Sequence, residues 1–141
     1  MLYSIGYTGL TVEDLINILQ AYKVTHLIDV RSKPFSRDKA FNKSALQRAL
    51  ANESVGYLWK GGDLGGLGEI TDNNLTWLKQ FQSDKVACVM CMESDPIKCH
   101  RYYEIGKRLN RLDVVVKHIK VVTTPRLKFW IMGEEGQETL L

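Results

Sequence analysis

The sequence lacks any apolar run of the roughly 18 residues that a membrane-spanning helix needs, and it does not open with a basic stretch followed by an apolar one. These absences predict a protein with neither a membrane anchor nor a secretion signal. Cysteine is scarce, because the 141 residues include only three, an odd number that does not suit a disulfide framework. We therefore expect free thiols and a cytoplasmic location. A strong excess of one charge is also missing, since a net charge of +3 is too small to identify a nucleic-acid-binding protein.

Short apolar runs alternate with segments of helical periodicity along a chain whose length suits a single domain over residues 1–141. This alternation predicts an α/β fold, a three-layer sandwich with a mostly parallel sheet of about five strands and helices on both faces. The loops that follow parallel strands lie at one edge of the sheet, where such folds bind ligands. The predicted strands are 2–5, 24–30, 55–59, 86–91 and 114–122, and the predicted helices are 11–23, one from Asn42 or Ser44, one from 71–72, and 99–110.

The segment from Cys91 to Arg101 joins the most continuous apolar strand to a helix. Pro96 disfavours helical backbone at the residue before it, so we expect the helix to begin at about 97–99 with Cys99 in its first turn. Unpaired N–H groups at that position favour a thiolate, and they would equally hold a phosphate or carboxylate. Simple packing of the thiol is the alternative for Cys99, and it is the favoured interpretation for Cys91 at the end of a buried strand.

Other groups in this segment have two interpretations each. Glu93 and Asp95 can act as general acid or base groups or pair with Arg101. The spacing Cys88-x-x-Cys91 with Cys99 allows a zinc site, but residues 88 and 91 of a continuous strand point to opposite faces, and no turn residue separates them. We therefore predict no metal and no other cofactor. A redox pair of Cys91 and Cys99 across the loop is a further alternative.

Basic residues are concentrated between positions 31 and 48, where a single acid accompanies them. Arg31 and Arg37 are the better candidates for binding an anion, since guanidinium groups match phosphate and carboxylate. Lysines of this segment are expected to form a solvated loop. Asp29 interrupts an apolar strand, so we expect it to be buried and hydrogen-bonded to the loop that follows.

Two further features have no single chemical interpretation. The stretch from Lys60 to Gly68 contains five glycines but matches no phosphate-binding fingerprint, and it can be a mobile lid or a plain connection. His118 lies in an alternating strand, where a structural histidine with a satisfied hydrogen bond is favoured.

Together these segments resemble the domain-of-unknown-function family number 488. The resemblance is carried by Ile5-Gly6-Tyr7-Thr8-Gly9, Ile28-Asp29-Val30-Arg31 with Pro34, Ser36, Arg37, Phe41 and Asn42, then Tyr57, Leu64-Gly65-Gly66, the Cys91-x-Glu93-x-Asp95-Pro96-x-x-Cys99-His100-Arg101 motif, and His118-Ile119. It implies a family-like core over residues 2–119, with a C-terminal extension over 120–141. It also implies a small cytoplasmic protein, and some members carry a DNA-repair label.

From these observations we expect an enzyme, a hydrolase or transferase, that acts on an anionic, nucleotide-like or phosphorylated substrate at the C-terminal edge of the sheet. Cys99, Glu93 and Cys91 are the expected catalytic residues. The alternative is a nucleic-acid-binding accessory protein without catalysis. The expected anion-binding residues are Arg31, Arg37, Arg101, Tyr7 and His100.

Overall fold

The chain alternates strands and helices along its length, and the computed structural model describes residues 1–140. None of the helices in this part of the chain combines the length and apolarity needed to cross a bilayer. The strands are β1 (Leu2–Gly6), β2 (His26–Asp29), β3 (Gly56–Trp59), β4 (Ala87–Cys91), β5 (Val116–Val122), β6 (Lys128–Ile131) and β7 (Thr139–Leu140). The α-helices are α1 (Val12–Ala21), α2 (Lys43–Asn52), α3 (Gly61–Leu64), α4 (Asp72–Gln82) and α5 (Lys107–Asn110), joined by 3-10 helices at Lys39–Phe41 and Pro96–Lys98 and a π-helix at Arg101–Gly106.

The sheet has seven strands in the order β3-β2-β4-β1-β5-β6-β7. Strands β1 to β5 are parallel, whereas β6 pairs with β5, and β7 with β6, in the antiparallel direction. The prediction of about five mostly parallel strands was therefore wrong in size and in kind, because the sheet is larger and mixed. The two additional strands come from the predicted C-terminal extension, whose chain turns back along β5 instead of crossing over.

Helices cover both faces of the sheet. On one face, α1 and α2 pack against β1, β2 and β4, and the core there includes Leu15, Ile18, Leu46 and Phe129. On the other face, α3, α4 and α5 pack against the same strands through Leu64, Leu75, Leu78 and Leu109. The continuous apolar run of β4 is explained by this arrangement, because all five of its residues are buried between two helical layers.

Local signals fix where the first helix begins. The Thr11 hydroxyl accepts a hydrogen bond from the Asp14 backbone at 3.0 Å, and the Asp14 carboxylate accepts one from the Thr11 backbone at 3.1 Å. This reciprocal capping satisfies two backbone N–H groups that a helix start leaves unpaired. The capping residue Thr11 is thus the first residue of the helix predicted over 11–23.

Candidate functional site

The loops after β1, β2 and β4 meet at the C-terminal edge of the sheet. The backbone N–H of Tyr7 donates to the carbonyl of Cys91 at 3.1 Å, and that of Val30 donates to the carbonyl of Met90 at 3.0 Å, so the pairing continues to the edge itself. A cleft of about 550 Å³ opens there. Its lining includes Tyr7, Arg31, Ser32, Lys33, Phe35, Gly66, Leu67, Cys91, Met92, Glu93, Lys98, Cys99 and His100.

Asp29 anchors the loop after β2 from inside the protein. Its carboxylate, which is fully buried, accepts hydrogen bonds from Arg31 Nε at 2.9 Å, Arg31 Nη2 at 2.7 Å and the Arg31 backbone at 3.1 Å. The Tyr57 hydroxyl donates to the same carboxylate at 2.6 Å. The prediction that Asp29 is buried and hydrogen-bonded to the following loop is confirmed.

The Arg31 guanidinium is held by this carboxylate and faces the Tyr7 hydroxyl at 3.4 Å. Burial opposes the charge of Arg31, but the hydrogen bonds and negative charge of Asp29 outweigh burial and raise the pKa of the guanidinium. Arg31 lines the cleft as one half of an ion pair. Its charge is therefore already balanced before a ligand arrives.

The sulfurs of Cys91 and Cys99 lie 2.7 Å apart, and both residues are free cysteines. Cys91 is the last residue of β4 and is 4% exposed, whereas Cys99 is 7% exposed and comes from the loop that returns to the same edge. The strand and the loop thus bring together two thiols that are eight residues apart.

The backbone of Cys99 differs from the prediction. It is extended, with φ −129° and ψ 147°, and it precedes the helical residues 100–110 instead of lying in their first turn. The cause is the 3-10 turn Pro96–Lys98, which ends just before Cys99. The Asp95 carboxylate caps this turn by accepting a hydrogen bond from Ile97 N at 3.2 Å. Cys99 separates this turn from the helix, and its carbonyl accepts from Tyr102 N at 3.1 Å.

His100 is oriented by the glycine-rich segment. Its Nε2 lies 2.9 Å from the carbonyl of Leu64, and its Nδ1 lies 3.7 Å from the sulfur of Cys99. Because a carbonyl oxygen only accepts, Nε2 carries a proton, and Nδ1 is the ring nitrogen that faces the Cys99 sulfur. The glycine-rich segment thus contacts the histidine next to Cys99 through the Leu64 carbonyl.

The pKa values of the two cysteines are shifted in opposite directions. The hydrogen bond from Cys91 lowers the pKa of Cys99, and contacts with His100 and with the backbone N–H and charge of Arg101 lower it further, against the opposing effect of burial. The same hydrogen bond, together with burial, raises the pKa of Cys91, against the opposing effect of Arg101. The pKa of Cys99 is therefore the lower of the two, which favours the thiolate on Cys99 and the proton on Cys91.

Arg101 lies behind the cysteines, is fully buried and does not line the cleft. Its Nη1 donates to Cys91 Sγ at 3.1 Å and to the Glu93 carbonyl at 2.6 Å, and its Nη2 donates to the Ser94 carbonyl at 3.3 Å. The direct anion contact that the sequence predicted for Arg101 does not fit this position, although Arg31 and Arg101 lie at the same edge of the sheet.

A buried polar chain holds the other side of Arg101. Its Nε donates to the hydroxyl of Ser4 at 3.1 Å, and that oxygen lies 2.5 Å from His118 Nδ1. The Ser4 hydroxyl thus connects Arg101 to His118. Burial and the nearby charge of Arg101 lower the pKa of His118 to about 4, so its ring is neutral at pH 7.

Glu93 lines the cleft and shapes its loop. The carboxylate accepts a hydrogen bond from the backbone of Asp95 at 2.9 Å. Its backbone carbonyl lies so close to β1 that a Cβ on Gly6 would come within 1.7 Å of it. Glycine at position 6 is therefore required for the loop to approach the strand.

Residues 11–73 match the family model described as Domain of unknown function DUF488. This match confirms the resemblance predicted from the sequence. Neither the curated proteins nor the solved structures contain a significant match to the chain. The matched DUF488 segment holds Asp29 and Arg31 and ends before β4, so Cys91 and Cys99 lie outside it.

Several residues that line the cleft were not predicted as site residues, and Lys33 and Phe35 among them lie inside the DUF488 segment. Lys33 and Lys98 supply exposed charges, and Phe35 and Met92 are 72% and 60% exposed at its rim. Phe35 and Met92 also line an adjoining compartment of about 770 Å³, which contains the predicted residue Arg37. A large aromatic residue within a basic loop, Phe35, was the feature of the sequence that could have pointed to this part of the cleft.

In the described part of the chain, no three His, Cys, Asp or Glu side chains converge as metal ligands would.

Proposed function

We propose that this protein is an enzyme that acts on an anionic, nucleotide-like or phosphorylated small molecule, with the Cys99 thiolate as its nucleophile. The observation that carries this proposal is the position of the Cys99 sulfur, 2.7 Å from Cys91 Sγ and 3.7 Å from His100 Nδ1 in the wall of the cleft. A thiol with a lowered pKa beside an oriented imidazole is suited to nucleophilic catalysis.

The proposed reaction has two steps. In the first, Cys99 Sγ forms a bond to an electrophilic phosphorus or carbon atom, while the bond to the leaving group breaks and its electron pair leaves with that group. His100, protonated at Nδ1, gives the leaving group a proton. In the second step, water or another acceptor attacks the same atom and loses a proton to His100, and the sulfur departs as the thiolate.

The cleft supplies charge and apolar surface for such a substrate. Lys33 and Lys98 are exposed cations on its lining, and Arg37 lies in the adjoining compartment. Phe35 offers an exposed aromatic face that suits a nucleobase. In this proposal Glu93 helps to move protons at the cleft, and Arg101 acts on the cysteines rather than on the substrate.

A nucleic-acid-binding accessory role is the second candidate. It is favoured by one observation, the exposed aromatic Phe35 within a basic loop that also exposes Lys33, Arg37 and Lys39. The enzyme is preferred because an accessory protein has no use for a thiolate. A cytoplasmic location belongs to the enzyme proposal, since the nucleophile must remain reduced.

The test is alkylation of Cys99 by iodoacetamide at pH 7, followed by peptide mapping, in the presence of adenosine 5′-monophosphate, inorganic phosphate or adenosine. We expect Cys99 to react first, and we expect the nucleotide to slow its alkylation more than adenosine does. Cys88→Ser is the control, because Cys88 is a fully buried cysteine in β4. An unreactive Cys99, or equal rates with all three compounds, would overturn the proposal.

Oligonucleotide binding at increasing salt separates the two candidates. An accessory protein should bind single or double strands, with affinity falling steeply as salt rises. Negligible binding at every salt concentration, together with protection of Cys99 by the nucleotide, supports the enzyme.

A further inference from the structure

The sulfurs of Cys91 and Cys99, which line the cleft, are closer together than two thiols that merely pack against each other. They lie 2.7 Å apart, whereas a disulfide bond is about 2.05 Å long. A movement of well under 1 Å would therefore join them. Both cysteines line the cleft, where Cys99 comes from the loop and is 7% exposed and Cys91 ends β4 and is 4% exposed.

We propose that Cys91 and Cys99 form a dithiol that reduces a low-molecular-weight disulfide, with Cys99 as the attacking sulfur and Cys91 as the resolving sulfur. This activity uses the same nucleophile as the function proposed above, but it needs no phosphorylated substrate. The reductant is the dithiol itself, and the oxidant is the small disulfide.

The first step is attack by the Cys99 thiolate on one sulfur of the substrate. A bond forms between Cys99 Sγ and that sulfur, the substrate's S–S bond breaks, and one thiolate leaves with the electron pair. In the second step Cys91 gives its proton to water and attacks Cys99 Sγ, and the second substrate thiolate leaves. In sum, one substrate disulfide, one protein thiolate and one protein thiol are converted into one protein disulfide, two small thiolates and one proton released to water.

Arg101 explains the order of these steps. While Cys99 is a thiolate, the proton stays on Cys91, which donates it to the shared hydrogen bond. Once Cys99 is bonded to the substrate, that interaction is lost, and Arg101 Nη1 at 3.1 Å is placed to stabilise a thiolate on Cys91. The buried cation thus acts first on the pair and then on the resolving sulfur.

The surroundings select a small, anionic and partly apolar disulfide. Cys99 is only 7% exposed and is reached through a cleft of about 550 Å³, which a folded protein surface would not enter. The cleft offers Lys33 and Lys98 as charges, and Phe35 and Leu67 as apolar groups that are 72% and 78% exposed. An aromatic disulfide with carboxylates matches this combination.

The experiment uses 5,5′-dithiobis(2-nitrobenzoate), added to the folded protein at one molecule per chain. For the wild type we expect release of both halves of the reagent, no retained adduct in the intact mass, and a peptide map that links Cys91 to Cys99. Cys91→Ser keeps a hydrogen-bond donor but lacks the resolving sulfur, so one half should remain bound at Cys99. Cys99→Ser should slow release about tenfold or more.

Cys88→Ser is the matched control and should behave as the wild type, since its sulfur faces the opposite core. A wild-type chain that keeps one half of the reagent on Cys99 would overturn the proposal, and so would Cys91 reacting first. The wild-type peptide map decides the matter even if a variant fails to fold. Protection of Cys99 by a nucleotide is measured separately, so the failure of either proposal is recognisable by itself.

Discussion

The guanidinium of Arg101 donates to the sulfur of Cys91 at 3.1 Å from a fully buried position. Within residues 1–140 no Asp or Glu side chain forms an ion pair with it. A buried cation needs a compensating negative charge or a dense set of acceptors. Here the acceptors are two backbone carbonyls, the Ser4 hydroxyl and the cysteine pair. The charge of Arg101 stabilises a thiolate of the pair, and that thiolate in turn stabilises the charge of Arg101.

Cys91→Ala should raise the pKa of Cys99, because it removes the hydrogen bond that contributes most to lowering that pKa. At pH 6 the thiolate fraction, and with it the rate of alkylation by iodoacetamide, should fall by about tenfold or more. Rates measured from pH 4 to 9 give the pKa directly. Cys88→Ala, a second deletion of a buried thiol from β4, should leave the profile unchanged. Equal profiles for Cys91→Ala and the wild type would contradict the effect of Cys91 on the pKa of Cys99.

Asp29→Ala should lower the free energy of unfolding by about 3–5 kcal/mol, because it leaves the Arg31 charge buried without its partner. Denaturant unfolding monitored by circular dichroism measures the change. Tyr57→Phe removes one hydrogen bond to the same carboxylate and should cost about 1 kcal/mol. A melting temperature for Asp29→Ala equal to that of the wild type would count against the ion pair as an anchor of the loop.

His118 should make stability depend on pH in a defined window. Burial lowers its pKa from 6.5 to about 4 in the folded protein, so between these values the unfolded chain binds the proton and the folded chain does not. The free energy of unfolding should therefore fall by about 2–3 kcal/mol as the pH drops from 6.5 to 4, with no contribution above that range. His118→Asn has no ionisable ring, and its unfolding curve should lack this component. If the free energy of unfolding changes with pH in the same way in His118→Asn and in the wild type, His118 does not contribute to the pH dependence.

Gly66→Ala should disturb His100, because a Cβ at position 66 would lie 3.1 Å from its Nδ1. We expect alkylation of Cys99 at pH 7 to slow about fivefold, which corresponds to about 1 kcal/mol. Gly68→Ala is the matched control in the same segment, since its added Cβ would meet nothing within 4 Å. If both variants react like the wild type, the imidazole does not set the reactivity of the thiol.

Features of the fold that depend on short-range patterns were predictable from the sequence. The capping residues of α1, the buried run of β4 and the burial of Asp29 all follow from residues that are adjacent or a few positions apart. The same patterns predicted that the chemically active loops meet at one edge. Antiparallel β6 and β7 were not predicted, because their pairing depends on where the chain turns after β5. The spacing of apolar residues does not indicate the position of that turn.

Most of the predicted site residues lie together at the cleft, but their geometry was not predicted. Cys99 was expected in the first turn of a helix. Pro96 instead begins a short 3-10 turn that ends at Lys98, and Cys99 after it has extended backbone. The orientation of His100 depends on the carbonyl of Leu64, which lies 36 residues away in the chain. Such contacts arise from packing of distant segments, so spacing in the sequence cannot predict them.

The position of β4 also sets the order in which the molecule can be assembled. It lies between β1 and β2, which do not pair with each other, so before β4 arrives the sheet has a gap at its centre. Pairing across that gap joins residues more than fifty positions apart and carries a large loop-closure entropy. The strand that closes the core ends at Cys91, so Cys91 and Cys99 come together only when the central strand has been inserted.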